Sequence, residues 1–365
     1  MKFNCSRTDL SNAIMNVQRA VATKASIPAL EGILIKVKGD KLNISGYDLE
    51  IGITTDIEAT ILEEGSIVLS AKLFGDIIRK LPQEIITVET DERMVTYITS
   101  GNASYQIVGL SAAEYPDLPR IEETDRFVIK SSILRDMIRQ TIYAVSEKNS
   151  KPIYTGSLFE IKDKVLTIVG IDGYRMAIRR ENIDSDSENE FVIPKKTQSE
   201  VLKLITDEEE DVEIIIGQRH ALFKVGSFYV ISRLIEGSFI DYNSTIPKGT
   251  ETQVVVNTRE ISQAVDRMSL HATDKFPSPV RCNFSNDEIT FVCNTSMGKA
   301  NDSISTTISG SDVEIGFNNR YLLEAIKNCE TDEIKIILNG SLSPMVIKPV
   351  KSDDFIYLVV PMRIS

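Results

Sequence analysis

Histidine and cysteine are scarce in this 365-residue chain, with two of the first and four of the second. His220 and His271 have no partner at ligand spacing, which argues for surface or packing roles over catalysis or metal binding. Cys5, Cys282, Cys293 and Cys329 form no CxxC pair and read as structural thiols of a reducing cytoplasm. The Asn-x-Ser/Thr triplets at Asn4, Asn294, Asn301 and Asn339 are then chance matches. No GxxxxGK[ST] phosphate loop occurs and no GxGxxG opens a helix. Gly170-Ile-Asp-Gly-Tyr-Arg175 follows a strand and leads into another, so it lacks the helix N-terminus that holds a phosphate. The acidic run Asp207–Asp211 reads as a solvated loop rather than a metal site. No apolar run approaches the roughly 18 residues of a membrane span, and Met-Lys-Phe-Asn-Cys5 lacks a signal-peptide core. These shortages leave an enzymatic reading with little support and imply no cofactor and no metal.

What is present is a soluble-type composition, 42% hydrophobic and 26% charged, with a net charge of −12. Spread evenly, that charge would repel nucleic acid. Charges are screened beyond about 8 Å at physiological salt, so a segregated basic surface can still meet phosphate.

The strongest internal signal is repetition. Tyr105-Gln-Ile-Val-Gly-Leu110, Tyr229-Val-Ile-Ser-Arg-Leu234 and Tyr357-Leu-Val-Val-Pro-Met362 share a Tyr-x-[Ile/Val]-x-x-[Leu/Met] strand ending, spaced by 124 and 128 positions. The first two run into similar connectors, Tyr115–Pro119 and Asp241–Pro247, whereas the third leads into the last few residues given. A helical stripe recurs as Leu10, Ala13, Ile14, Val17; as Leu134, Met137, Ile138, Thr141; and as Ile261, Ala264, Val265, Met268. Ser6 or Thr8 is the expected N-cap of the first. A second helix recurs at Ile77, Ile78, Leu81; Val201, Leu202, Ile205; and Leu322, Leu323, Ile326. Between them lie hairpins such as Gly32–Val37 and Lys41–Ser45 around Lys38-Gly-Asp40. Each copy thus reads strand, helix, about three strands, then the same again, as if itself duplicated. The fold class is α+β: three tandem domains, at 1–122, 123–249 and 250–365, of antiparallel sheet with a helix layer.

Two surfaces carry functional signals. Basic residues (Lys24, Lys72, Arg135, Arg139, Lys148, Lys151, Lys195, Lys196, Lys203, Lys275, Arg281, Arg320) read singly as ordinary surface positions, but helices presenting one or two of them on one face would touch a phosphate backbone without reading bases. Pro361 and Met362 end an apolar strand, and Gly173-Tyr-Arg-Met176 closes a turn with Ile153-Tyr154 upstream. A methionine, a tyrosine and an arginine converging there suit equally internal packing or a pocket for a partner peptide.

These residues resemble one family: Met-Lys-Phe before a helix, Ile27-Pro28, Tyr115-Pro116, Asp172-Gly-Tyr-Arg175 and Val360-Pro-Met-Arg-Ile364 are similar to the bacterial DNA polymerase III beta subunit, the sliding clamp, across the whole chain. The resemblance implies a head-to-tail homodimer closed into a ring of six domains, helices lining a channel for double-stranded DNA and sheets outside. It implies sequence-independent DNA contacts, Lys24, Lys72 and Lys148 among them, and a dimer interface of Tyr105 and Ile107 with Leu270. It also implies peptide-borne partners, namely the polymerase III catalytic subunit, the clamp loader and repair factors. Their groove would include Tyr154, Gly173, Tyr174, Arg175, Met176, Val359, Pro361, Met362 and Arg363, with Leu342 and Pro344 at its edge. The chain departs from many relatives at Ile240–Thr245, where a proline and a basic residue are frequent, which bears on one groove wall. A cytoplasmic, non-catalytic processivity factor is the expectation. The other reading is a three-domain ligand-binding or enzymatic protein reusing the repeat, with Asp172 and the acidic loop as its polar centre. Saturable binding of a nucleotide or divalent metal would distinguish the second.

Overall fold

The computed structural model describes residues 1–147, 151–206, 210–270, 279–296 and 298–363. In the first copy, β1 (Lys2–Ser6) leads to α1 (Arg7–Val17), then β2 (Gly32–Lys38), β3 (Lys41–Tyr47), β4 (Ile51–Ile57), β5 (Ala59–Glu63) and β6 (Gly65–Ser70). Helix α2 (Ala71–Lys80) and strands β7 (Ile85–Thr90), β8 (Val95–Ser100) and β9 (Ala103–Val108) complete it. The second copy runs β10 (Glu123–Lys130), α3 (Ser131–Ile142), β11 (Gly156–Lys162), β12 (Val165–Ile171), β13 (Arg175–Asn182), β14 (Asn189–Pro194), α4 (Lys195–Leu204), β15 (Asp211–Gly217), β16 (His220–Val225) and β17 (Phe228–Arg233). After a short α5 (Tyr242–Thr245) the third copy runs β18 (Thr252–Asn257), α6 (Thr258–Ser269), β19 (Pro279–Ser285), β20 (Glu288–Thr295), β21 (Gly298–Ser305), β22 (Thr307–Gly310) and β23 (Val313–Asn318). It closes with α7 (Asn319–Lys327), β24 (Glu333–Leu338), β25 (Met345–Pro349) and β26 (Phe355–Val359).

The helices form where the stripes place them. Leu10, Ala13, Ile14 and Val17 are buried, as are their counterparts from Leu134 and from Ile261. Ser6 caps α1 by accepting from the Asp9 amide at 3.1 Å, and Asn257 caps α6 from the Arg259 and Glu260 amides. Each copy ties its first helix to its second half through one backbone bond: Arg7 N–H to Glu84 O, Ser131 N–H to Glu210 O and Thr258 N–H to Asp332 O. The duplication is visible in that bond. It satisfies one of the helix's free N-terminal donors with the strand that follows the other helix.

The sheets are not one per copy. The chain divides into two compact units, 1–132 with 196–234, and 133–195 with 235–365. In the first unit, β5-β1-β7-β8-β9 make one sheet and β10-β15-β16-β17-β4-β3-β2-β6 the other. In the second, β14-β11-β12-β13-β26-β25-β24-β18-β22 make a nine-stranded sheet and β21-β20-β19-β23 a smaller one. The two large sheets are each fused from halves of different copies. The last strand of one copy pairs antiparallel with the fourth strand of another, β17 with β4 and β26 with β13.

Two short strands were not legible in the hydropathy pattern. β5 covers the outer edge of β1 and β22 that of β18, whereas β10 ends its sheet among the described residues. Both are only half apolar and sit on an edge, where few side chains are buried and periodicity is weak. The described cysteines are all free and buried. No helix among the described residues is long and apolar enough to cross a membrane.

Candidate functional site: a groove beside the terminal strand

The site is built where β13 meets β26. The turn entering β13 is held by Asp172, whose Oδ1 accepts from the Tyr174 and Arg175 amides at 2.9 and 3.1 Å. Gly173 sits at φ +91°, a left-handed conformation that a side chain resists. Asp172 Oδ2 accepts from Arg175 Nε at 3.0 Å, and Arg175 also donates to Glu324 of α7. The Arg175 guanidinium lies 4.5 Å from the Tyr321 ring centroid and 5.4 Å from that of Tyr143. An arginine only 7% exposed is tolerable there because two carboxylates and two ring faces replace its water. Glu324 in turn accepts from Arg320 Nε at 3.0 Å. Burial, and then the Asp172 charge, push the Tyr321 hydroxyl above its ordinary range.

This network presents Tyr174. Its ring is 61% exposed and stacks on Tyr321, with centroids 6.1 Å apart. Its carbonyl accepts from the Val360 amide at 2.9 Å, so the turn and the terminal segment are joined. Two residues on, the Met362 amide donates to Gly316 O at 2.8 Å, tying the segment to β23. Pro361, with no N–H to satisfy, bridges the two anchors.

Behind the turn is an apolar floor. Leu158, Ile171, Met176, Ile178, Ile356 and Leu358 form a buried cluster against which Ile153, Tyr154, Ile235, Phe239 and Ile246 pack, partly exposed. Tyr154 meets Phe239 edge-on at 5.8 Å. The departure at Ile240–Thr245 folds as α5, capped by Asp241 on the Ser244 amide, and lays Thr245 Oγ1 3.7 Å from Met176 Sδ. Tyr242 of this helix is buried and donates to Glu160; burial, then that carboxylate, push its hydroxyl up to about 12. Sequence reasoning missed Tyr242 and Ile246. Their signal was present as apolar residues four apart in an otherwise polar connector.

Of the expected groove residues, Tyr154, Gly173, Tyr174, Arg175 and Met176 lie on or under this surface. Pro361, Met362, Arg363 and Leu342 line a cavity of about 830 Å³ beside it. Pro344, in the same loop as Leu342, is half-buried and does not line that cavity. Val359 is wholly buried in the third copy's core, and Val360 lines the cavity instead. Strand alternation explains the exchange: Tyr357 and Val359 point inward together, so the next residue turns out.

The expected DNA residues are more tightly held than sequence suggests. Arg139 pairs with Glu330 and Asp136, Arg135 with Asp136, and Lys196 with Asp48. Lys24 and Lys72 have no ion pair among the described residues. Lys148 and Lys275 lie outside the described residues, as do His271 and part of the acidic run. His220 is half-buried, and burial, then Arg233, lower its pKa. The expected interface residues differ: Leu270 is 81% exposed and Tyr105 half-exposed, but Ile107 faces the core at 7%. No cluster of metal-ligating side chains occurs among the described residues.

Three duplicated copies of helix-backed antiparallel sheet, with a groove beside the last strand, define the DNA-clamp class of protein. Family models for the N-terminal, central and C-terminal domains of the DNA polymerase III beta subunit match residues 1–119, 128–241 and 243–363. The beta sliding clamp of Bacillus subtilis is 33% identical over 376 aligned residues covering 100% of each chain, and that of Halalkalibacterium halodurans is 32% identical. A crystal structure of the Bacillus subtilis clamp superposes with a TM-score of 0.97 over 100% of both chains. A putative DNA polymerase III beta subunit from Eubacterium rectale gives 0.96 at 32% identity over 99% of both. The chain belongs to the DNA polymerase III beta subunit family.

Proposed function

We infer that this protein is a DNA sliding clamp: two copies close around duplex DNA and hold a polymerase, and other proteins bearing short clamp-binding peptides, at their site of work. The observation that carries this is the pattern of sheet fusion. Twice in the chain, the closing strand of one copy completes its sheet on the fourth strand of another copy. One closing strand, β9, and one fourth strand, β21, stand at sheet edges with no outer partner among the described residues. An unpaired edge is a template for another chain. Pairing β9 of one protomer with β21 of the other repeats the internal junction, and doing so twice closes a two-fold, head-to-tail dimer. The two internal registers set Tyr229 opposite Thr54 and Tyr357 opposite Ala177. Carried over to β21, they put Tyr105 opposite Ala300 or Asn301, with Leu270 at the flank.

DNA binding in this reading is weak. Phosphates must compete with Glu330, Asp136 and Asp48 for Arg139, Arg135 and Lys196, so few counterions are released on contact and salt dependence is shallow. Lys24 and Lys72 are the cations most open to phosphate. Weak attraction suits a ring that stays by topology and must move. Tethering a partner through the Tyr154–Met176 surface and the terminal segment raises its effective concentration at the primer end without any chemistry by the clamp. Opening the ring would fall to a separate ATPase.

Small-angle scattering on the purified chain tests the closed dimer. The expected result is twice 40.7 kDa, about 81 kDa, with a hollow distance distribution. A 40.7 kDa monomer at micromolar concentration would remove the ring and the topological account with it.

A further inference from the structure

We propose that the outer edge of β10 is a docking strand, which takes an extended segment of a partner protein carrying Thr-Ile-x-acid as one more antiparallel strand. Each copy opens on an equivalent strand that runs straight into its first helix. Phe3, Phe127 and Val254 hold the same place in these strands, at the spacing of the helical stripes that begin at Leu10, Leu134 and Ile261. In the first copy β5 covers this strand and in the third β22 does, but β10 has no outer partner among the described residues. The segment that would supply one, 183–188, reads Ile-Asp-Ser-Asp-Ser-Glu, a composition poor in strand formers. It forms no strand. Its Ile183 amide donates to Lys164 O at 2.9 Å and Asp186 pairs with Lys164 at 3.1 Å, which holds it to the β11–β12 turn instead. An edge of eight residues is left open, and an open edge is a template for a further strand.

The two covered copies show what fits. Their added strands present the same dipeptide in the same register: Thr60-Ile61 lies opposite Asn4 and Phe3, and Thr307-Ile308 opposite Val255 and Val254. In both, isoleucine meets a buried residue of the edge and threonine a half-buried one. The corresponding residues of β10 are buried Phe127 and Val128, and Val128 is 48% exposed for want of a neighbour on that side. Cross-strand pairs of apolar and β-branched side chains are what stabilise such an addition. Charge adds the third requirement. Lys2 lies opposite Glu63, two residues past Ile61, and Arg126 stands in the place of Lys2. Arg126 is shared between Glu123 and Glu213 but is more than half exposed, so an incoming carboxylate can exchange into the set. Arg126 and Lys130 both reach carboxylates of the inner neighbour β15, Glu213 at 3.2 Å and Asp211 at 2.7 Å. The charges that could guard the edge are thereby drawn inward on either side of Val128. Main-chain bonds along β10 would supply the affinity, and the Val128 and Arg126 positions the selectivity.

The test uses the full-length protein and a synthetic peptide of β5 with its flanks, Glu58 to Glu64, blocked at both ends. Amide hydrogen exchange is followed by mass spectrometry with and without the peptide at about 1 mM, a concentration matched to a weak edge contact. Exchange across 123–130 should slow by about threefold or more, while 2–6 and 252–257, whose edges are already covered, stay unchanged. The peptide with Thr60→Gly and Ile61→Gly should have no effect. Val128→Asp, at an exposed position, should keep the melting temperature of the protein and lose the slowing. Three results would each overturn the proposal: unchanged exchange across 123–130, equal slowing by the glycine peptide, or equal slowing in Val128→Asp. A change at 2–6 in place of 123–130 would overturn it too, because the peptide would then only be trading places with β5.

Discussion

Two turns of this molecule share a backbone plan and differ in what they carry. Asp48 accepts from the Glu50 and Ile51 amides at 3.0 and 2.8 Å, as Asp172 does from Tyr174 and Arg175. The residue after each aspartate has positive φ, Leu49 at +76° and Gly173 at +91°. Each turn then offers a carbonyl to the strand fused beside it, Glu50 to the Arg233 amide and Tyr174 to the Val360 amide. The turn is thus a joint for fusing sheets, and the joint alone has no chemistry. At the second, an exposed tyrosine, a buried arginine between two rings and a proline-bridged segment have been added to the same frame. The lesson is that the site is a decorated copy of a structural device.

The comparison breaks most readily at the segment the first joint lacks. Deleting Pro361 to Ser365 should weaken peptide binding at least tenfold while the mass of the assembly stays dimeric, measured by anisotropy and light scattering. Loss of the dimer would make the segment structural, like its counterpart after β17. Next come the two aspartates. Asp172→Ala leaves a buried Arg175 and two amides short of an acceptor and should cost about 2–3 kcal/mol in urea unfolding. Asp48→Ala loses the same amide bonds but an exposed lysine partner, and should cost about 1 kcal/mol. Equal costs would mean that the arginine cluster adds nothing to the joint.

Smaller effects sharpen the comparison further. Gly173→Leu places a side chain at a positive φ with open space around it, so the cost is conformational, about 1–2 kcal/mol. Leu49→Asn should stabilise by about 0.5–1 kcal/mol, because asparagine tolerates that conformation. The smallest effect concerns the copies' helix starts. Hydrogen bonds from Ser6 and Thr8 hold the Glu84 carboxyl at about 2, below its ordinary 4.5. A depressed folded pKa contributes stability above the unfolded value and loses it as pH falls through the folded one. The melting-temperature gap between the native chain and Glu84→Gln should therefore be full at pH 7 and shrink between about 4.5 and 2. A gap independent of pH would assign the effect to shape rather than charge.

The sequence by itself determined the helices and the three-copy plan. A stripe such as Ile261, Ala264, Val265 and Met268 has only one face to bury, and three strand endings at near-equal spacing have only one simple cause. It also marked Tyr154, Gly173–Met176 and Pro361–Arg363. Tertiary structure alone decided the rest. Which strand edges fuse depends on neighbours far apart in the chain, so the joints β17–β4 and β26–β13, and the unfused edges of β9 and β21, have no local signature. The same holds for the exchange of Val359 for Val360, for Tyr242 in the wall, and for the carboxylates that hold Arg139 and Lys196. Local periodicity reports which face of an element is buried, and only the fold determines against what.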